Sequence, residues 1–180
     1  MEDRSLVEES QKGDKDSFKE LIAAYQTKLY NLAFYFLGNE HDAADLSQET
    51  WCRVFKQLNT FKFNCSFYTW VCKILRNFYL DNYVRKQYRK KEVPLNESIN
   101  RISELEPSAG LEKEQLNKII KTAIDKLQDD FRITLVLIDL QGFSYEEVAK
   151  ITKVSLGTVR SRLSRARSKL REIFLKMGTF

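Results

Sequence analysis

The chain has 180 residues but few of the ones that interrupt helices, with 6 glycines and 2 prolines. Apolar residues recur instead at helical spacing over long stretches, which predicts an all-α fold. Cysteine and histidine are also scarce. Cys52, Cys65 and Cys72 form no CxxC pair, and His41 alone cannot complete a zinc site with them. The odd cysteine count points to reduced thiols and a cytoplasmic location, with Cys52 and Cys72 packed inside helices. No apolar run approaches the roughly 20 residues of a membrane span. Residues 1–15 are polar and charged, unlike a signal peptide, so membrane insertion is not expected. No residue pattern calls for a cofactor or a catalytic group.

What is present is charge, unevenly placed. The net charge is +5 and the isoelectric point about 9.0. Residues 84–92 hold five basic side chains against Glu92, a net +4. Residues 153–176 hold eight against Glu172, a net +7, which leaves the remainder at −6. Two basic zones on an otherwise acidic chain suit two separate contacts with a polyanion and leave acidic surface for basic protein partners.

The second basic zone has a recognisable architecture. Ser144 followed by Glu147 is a capping box that starts a helix at Tyr145. Ser155 is a second candidate cap, followed by Val159 and Leu163 at helical spacing. Thr152, Lys153 and Val154 lie between. A short helix, a tight turn and a long basic helix match a helix-turn-helix, whose second helix enters the DNA major groove.

The preceding chain divides into amphipathic segments. A short helix ends at Lys12-Gly13-Asp14, and Asp14 or Asp16 caps a second helix that Gly38-Asn39 stops. A third helix starts at Asp42, with Ala44, Trp51, Phe55 and Leu58 on one side and Asp45, Gln48 and Glu49 on another. Asp42, Asp45 and Glu49 could approach a divalent cation, but a helix surface alone spaces carboxylates too widely for a closed cage. Residues 59–66 form a polar and aromatic loop before a fourth helix over 67–86. There Trp70, Ile74, Asn77 and Asp81 fall near one line, and aromatics interleave with bases, as on single-strand binding surfaces. Polar residues with Pro94, Pro107 and Gly110 then indicate a flexible linker, so the chain reads as domains over 1–87 and 112–180 joined by 88–111.

Together these pieces resemble the extracytoplasmic-function (ECF) group of bacterial RNA polymerase sigma factors, over nearly the whole chain. The resemblance rests on Lys12-Gly13-Asp14, Leu37-Gly38-Asn39, Asp45-Leu46-Ser47-Gln48-Glu49-Thr50-Trp51, Phe67-Tyr68-Thr69-Trp70, Gly142-Phe143-Ser144-Tyr145-Glu146-Glu147-Val148-Ala149 and Gly157-Thr158-Val159-Arg160-Ser161-Arg162-Leu163, in that order. It implies core RNA polymerase, promoter DNA and an anti-sigma factor as partners, and no enzymatic activity in the chain itself. By the same resemblance, Asp45, Gln48 and Glu49 dock the polymerase. Phe61, Lys62, Phe63, Asn64, Trp70, Asn77, Asp81 and Arg85 handle single-stranded −10 DNA. Gly157, Thr158, Arg160, Ser161, Ser164 and Arg165 read −35 duplex. Two departures stand out: Ser155 where many members have proline, and a small Ser164 where a larger side chain is common. A stand-alone helix-turn-helix regulator is the alternative reading.

Overall fold

The computed structural model describes residues 3–84 and 111–177, and every regular element among them is helical. The first half comprises α1 (Asp3–Gln11), α2 (Lys15–Leu37), α3 (Glu40–Gln57) and α4 (Phe67–Tyr79), with a 3-10 turn at Leu58–Thr60 and a π turn at Leu80–Val84. The second comprises α5 (Leu111–Asp125), α6 (Asp129–Leu135), a π turn at Val136–Leu140, α7 (Tyr145–Thr152) and α8 (Leu156–Lys176).

The caps fall where local chemistry places them. The Asp14 carboxylate accepts from the backbone of Asp16 and Ser17, satisfying donors that the first helical turn cannot pair internally. Gly38 ends α2 at φ 86, in the left-handed region where a side chain is costly. α3 starts two residues before Asp42, because the Asn39 side chain accepts from the Asp42 backbone 2.8 Å away and so is itself the cap. Its inward face is also rotated from the expected one. Ala43, Leu46, Trp51 and Val54 are buried, whereas Ala44 and Phe55 are exposed. That rotation leaves Cys52 exposed, contrary to expectation, while Cys72 is buried as expected. Within the expected fourth helix, α geometry ends at Tyr79 and a π turn follows over Leu80–Val84. Arg85, the basic zone at 84–92 beyond Val84, and the linker before Leu111 lie outside the described residues.

The two halves share one apolar core, in which Leu21, Phe36 and Leu75 belong to the same cluster as Leu137, Ile151 and Val159. Tyr25 stacks on Tyr68 at 5.0 Å, and Tyr68 stacks on Phe143 at 5.5 Å, so three rings run from α2 through α4 to the turn before α7. Each such pair adds about 0.5–1.5 kcal/mol beyond burial. Burial, first, and a hydrogen bond with Cys72 push the Tyr68 phenol well above its ordinary range, so it stays neutral. Arg132 clamps the seam: Nη1 donates to the Phe36 carbonyl at 2.9 Å and Nη2 to those of Asp125 and Leu127. Tyr79 donates to Asp129 at 2.6 Å, and Thr69 donates to Glu147 at 2.9 Å.

The turn between α7 and α8 has no glycine. Lys153 takes the left-handed conformation itself, at φ 56 and ψ 40, and its backbone N–H donates to the Ala149 carbonyl. For a side-chain-bearing residue that geometry costs about 1–2 kcal/mol. Lys153→Gly should therefore raise stability by about 0.5–1 kcal/mol, after the greater chain entropy of unfolded glycine is offset. Denaturant midpoints of the two proteins check this, and a lower midpoint for the glycine variant contradicts it.

Candidate nucleic-acid interface

α7 and α8 form the candidate reading unit. The Ser144 hydroxyl accepts from the Glu147 backbone, and the Glu147 carboxylate accepts from the Ser144 backbone at 3.0 Å, so the capping box is complete. Burial pushes the Glu147 carboxyl up, but the bonds from the Ser144 backbone, the Thr69 hydroxyl and the Ser144 hydroxyl outweigh it, and its net shift is downward. It therefore remains an anion that holds both the cap and the seam.

Ser155 caps α8, accepting from the Thr158 backbone at 3.2 Å. Val159, Leu163 and Ala166 face the core, and Arg160, Ser161, Ser164 and Arg165 are exposed on the other side. Their spacing of one, three and one places them on a single helical face. The basic side chains of α8 then divide into two groups. Arg162 pairs with Asp130 at 2.5 Å, Arg167 pairs with Asp139 at 2.6 Å, and Lys169 lies over the Phe131 ring at 5.4 Å. Arg160 and Arg165 have no such partner among the described residues. The fold thus ties down Arg162, Arg167 and Lys169 out of what the sequence shows as one charge run, and leaves Arg160 and Arg165 on the exposed face, able to reach a ligand. Gly157 is exposed at the helix start, and nothing but the Ser155 hydroxyl, at 3.8 Å, lies near where a Cβ would stand. The Thr158 N–H is already committed to Ser155, so the N–H groups of Leu156 and Gly157 are the ones left to face an anion.

The loop before α4 is an aromatic platform. Phe61 lies 4.9 Å from Phe63 and 5.2 Å from Trp70. Phe61 is itself buried, at 5% exposure, and supports the platform from the core side; Phe63 and Trp70 are half-buried and Lys62 and Asn64 exposed. Asn77 lies two turns beyond Trp70 along α4, about 10 Å away at 1.5 Å per residue, and its side-chain oxygen accepts from Arg76 at 3.3 Å. Asp81 is exposed on the π turn, where helical spacing departs from the line through Trp70 and Ile74. The structure therefore gathers Phe61, Phe63 and Trp70, and sets Asn77 and Asp81 apart from them along the same rod. Lys150 of α7 reaches the Asn64 carbonyl at 3.4 Å, so the helix-turn-helix touches this loop.

On α3, Asp45, Gln48 and Glu49 border a groove of about 340 Å³ that Cys52, Phe78 and Tyr83 complete. Arg53 pairs with Glu49 at 3.0 Å and lies 4.1 Å over the Phe78 ring. His41 is 3.8 Å from Asp45. Among the described residues, no group of His, Cys, Asp and Glu gathers in a way that could hold a metal ion.

Family models match the chain in two blocks: Sigma-70 region 2 over residues 21–90, and Sigma-70, region 4, over residues 117–170. The ECF RNA polymerase sigma-E factor of Escherichia coli is 34% identical over 174 residues, covering 92% of this chain and 90% of that protein. The chain belongs to the ECF group of RNA polymerase sigma factors. The ECF RNA polymerase sigma factor SigW of Bacillus subtilis is 30% identical over 177 residues, 94% of this chain and 95% of its own. SigE of Mycolicibacterium smegmatis is 36% identical, and this chain spans 62% of its length. Among solved structures, the sigma factor RpoE in complex with the anti-sigma factor NepR from Bartonella quintana superposes with a TM-score of 0.69 at 30% identity, over 89% of this chain and 98% of that one. CnrH in complex with the cytosolic domain of CnrY gives 0.70 at 26% identity, over 96% of each.

Several features of this ECF factor lay beyond its sequence pattern. Phe78 from the end of α4 and Tyr83 from the π turn after it both line the groove at the acidic α3 face. Burial, first, and the nearby Asp42 and Asp45 carboxylates push the Tyr83 phenol upward, which marks that proximity. Asp130 and Asp139, which pair with Arg162 and Arg167 of α8, come from α6 and the π turn that continues it. No spacing within α8 could have identified them.

Proposed function

We propose that this ECF factor binds core RNA polymerase and directs it to promoters by reading −35 duplex with α8 and −10 single-stranded DNA with the loop at 59–66 and α4. The observation that carries this reading is the free face of α8: Arg160, Ser161, Ser164 and Arg165, exposed on a capped helix after a tight turn. Arginine offers guanine a bidentate pair of hydrogen bonds in the major groove. At −10, Phe63 and Trp70 offer rings for stacking, Lys62 offers charge to a phosphate, and Asn77 and Asp81 offer polar edges further along. Asp45, Gln48 and Glu49 present an acidic helix face to a basic region of the polymerase, and complementary charge speeds such docking.

On this reading the working units are 1–87 and 112–180 joined by 88–111. The chain supplies no chemistry of its own, since the polymerase makes the RNA, and it acts in the cytoplasm where polymerase does. An anti-sigma factor is a further partner, by analogy with the complexes formed by its structural relatives.

A stand-alone regulator would bind its duplex site tightly without polymerase. A gel shift comparing free chain with holoenzyme separates the two: promoter binding that needs core polymerase supports the sigma reading, and equally tight binding by the free chain supports the other. A second test bears on one residue. A carboxylate suits an amino donor on a base, so Asp81→Ala should change base preference at a single −10 position, read by transcription from a randomised −10 library. A uniform loss across all sequences would assign Asp81 to structure.

A further inference from the structure

α1 carries no role in the reading above, yet it grips the −10 loop at three points. At its C-terminal end, the Gln11 side-chain amide donates both hydrogens, to the Leu58 carbonyl at 2.9 Å and to the Phe61 carbonyl at 3.1 Å. Those two carbonyls bracket the 3-10 turn Leu58–Thr60, where α3 gives way to the loop. At its other end, the Arg4 guanidinium lies 5.1 Å over the Phe63 ring and is itself steadied by Glu8 at 2.8 Å. α1 is anchored beneath by Val7, wholly buried, and by a hydrogen bond from Tyr25 to Asp3.

The loop needs such holding. Phe63 sits at φ 57, a left-handed conformation that a bulky side chain adopts only when its surroundings enforce it. Phe61, 4.9 Å away, and Arg4, 5.1 Å from the ring centroid, both contact its ring. Lys62 and Asn64 on either side of Phe63 are exposed and Phe63 is partly so, which sets the strained backbone among the groups offered to DNA.

We infer that Gln11 is a positioning residue for −10 strand capture, fixing the Leu58–Phe61 corner so that the loop meets a base already in its binding shape, with Arg4 as its second support. The inference rests on the −10 role proposed for this loop. Preorganisation is its physical content: a loop freed from Gln11 samples other backbone states and must be reordered each time a base enters, which weakens capture without altering any group that touches DNA.

The test uses holoenzyme assembled from core polymerase and the full chain. Its probe is a single-stranded oligonucleotide of the mapped non-template −10 sequence, carrying 2-aminopurine at the captured position. Gln11→Glu keeps the side chain's shape but replaces the double donor with a carboxylate facing two carbonyls. It should weaken oligonucleotide binding roughly tenfold, while affinities for core polymerase and for −35 duplex stay unchanged. Gln11→Ala should give the same pattern, and Arg4→Ala a smaller loss in the same direction. No loss in either Gln11 variant overturns the inference. So does an equal loss in all three affinities, which would show Gln11 merely supporting the fold. Wild-type holoenzyme with no sequence preference among −10 oligonucleotides would instead overturn the functional reading, and this inference with it.

Discussion

Arg160→Ala and Arg165→Ala should each lose about 1–3 kcal/mol of −35 discrimination, up to roughly a hundredfold in preference per site. Both side chains project from the solvent face of α8 and neither is tied to an acid among the described residues, so little fold stability depends on them. Arg162 and Arg167 make the contrast. Each is anchored to an aspartate of α6 or of the π turn that continues it, and their removal should leave base preference alone and cost at most about 1 kcal/mol of stability, as ion pairs near the surface do. Transcription from a promoter library randomised at −35 reads the difference. The account requires that Arg160 and Arg165 change the preferred sequence and that Arg162 and Arg167 do not. Unchanged −35 preference in both Arg160→Ala and Arg165→Ala would refute the assignment of this face.

Phe36→Ala should destabilise the fold by about 3–5 kcal/mol. Phe36 is fully buried and packs at 5.1 Å against Tyr79, so truncation leaves a cavity between α2 and α4. Its effect should cross the seam. The Phe36 carbonyl accepts from Arg132, and Tyr79 is hydrogen-bonded to Asp129 at the start of α6. Hydrogen exchange in the variant should therefore accelerate in α6 and α7 as well as in α2 and α4. Loss of protection confined to the first half would show that the two halves open independently. A cost below about 1 kcal/mol would contradict the packing itself.

How much of this was legible beforehand follows from the range of each interaction. Ser144 and Ser155 were readable as caps, and Asp14 as one of two candidates with Asp16, because a cap bonds to backbone within three residues, so sequence neighbours contain the whole interaction. The start of α3 was misplaced because Asn39 and Asp42 are both competent caps, and only the folded geometry selects Asn39. Its inward face was read one residue off because Phe55 is large and apolar, whereas the structure leaves it 53% exposed with its ring 5.1 Å from Phe18. The π turns at Leu80–Val84 and Val136–Leu140 have no signature in a pattern built on α spacing. The candidate −35 face was legible as a set of residues on one helix. What was not legible is which arginines the fold consumes, since Asp130 and Asp139 lie 28 to 32 residues from their partners. The seam was equally hidden: Tyr68 and Phe143 are far apart in the chain, and neither belongs to a periodic stripe that would announce the other.

The seam also bears on how the two readers cooperate. Lys150 at Asn64 and Glu147 at Thr69 link the first helix of the helix-turn-helix to the loop at 59–66 and to α4. On the proposed function, polymerase fixed to the first half raises the effective concentration of the second near DNA, so α8 can choose sequence without high intrinsic affinity.

The most direct test of the central claim is run-off transcription by core polymerase with and without the purified chain on a genomic promoter library, with start sites mapped. The account predicts transcripts that require the chain and share two upstream elements, one near −35 and one near −10, the first shifting with Arg160 and Arg165 substitutions. No chain-dependent transcript from any template, together with tight duplex binding by the free chain, would contradict it.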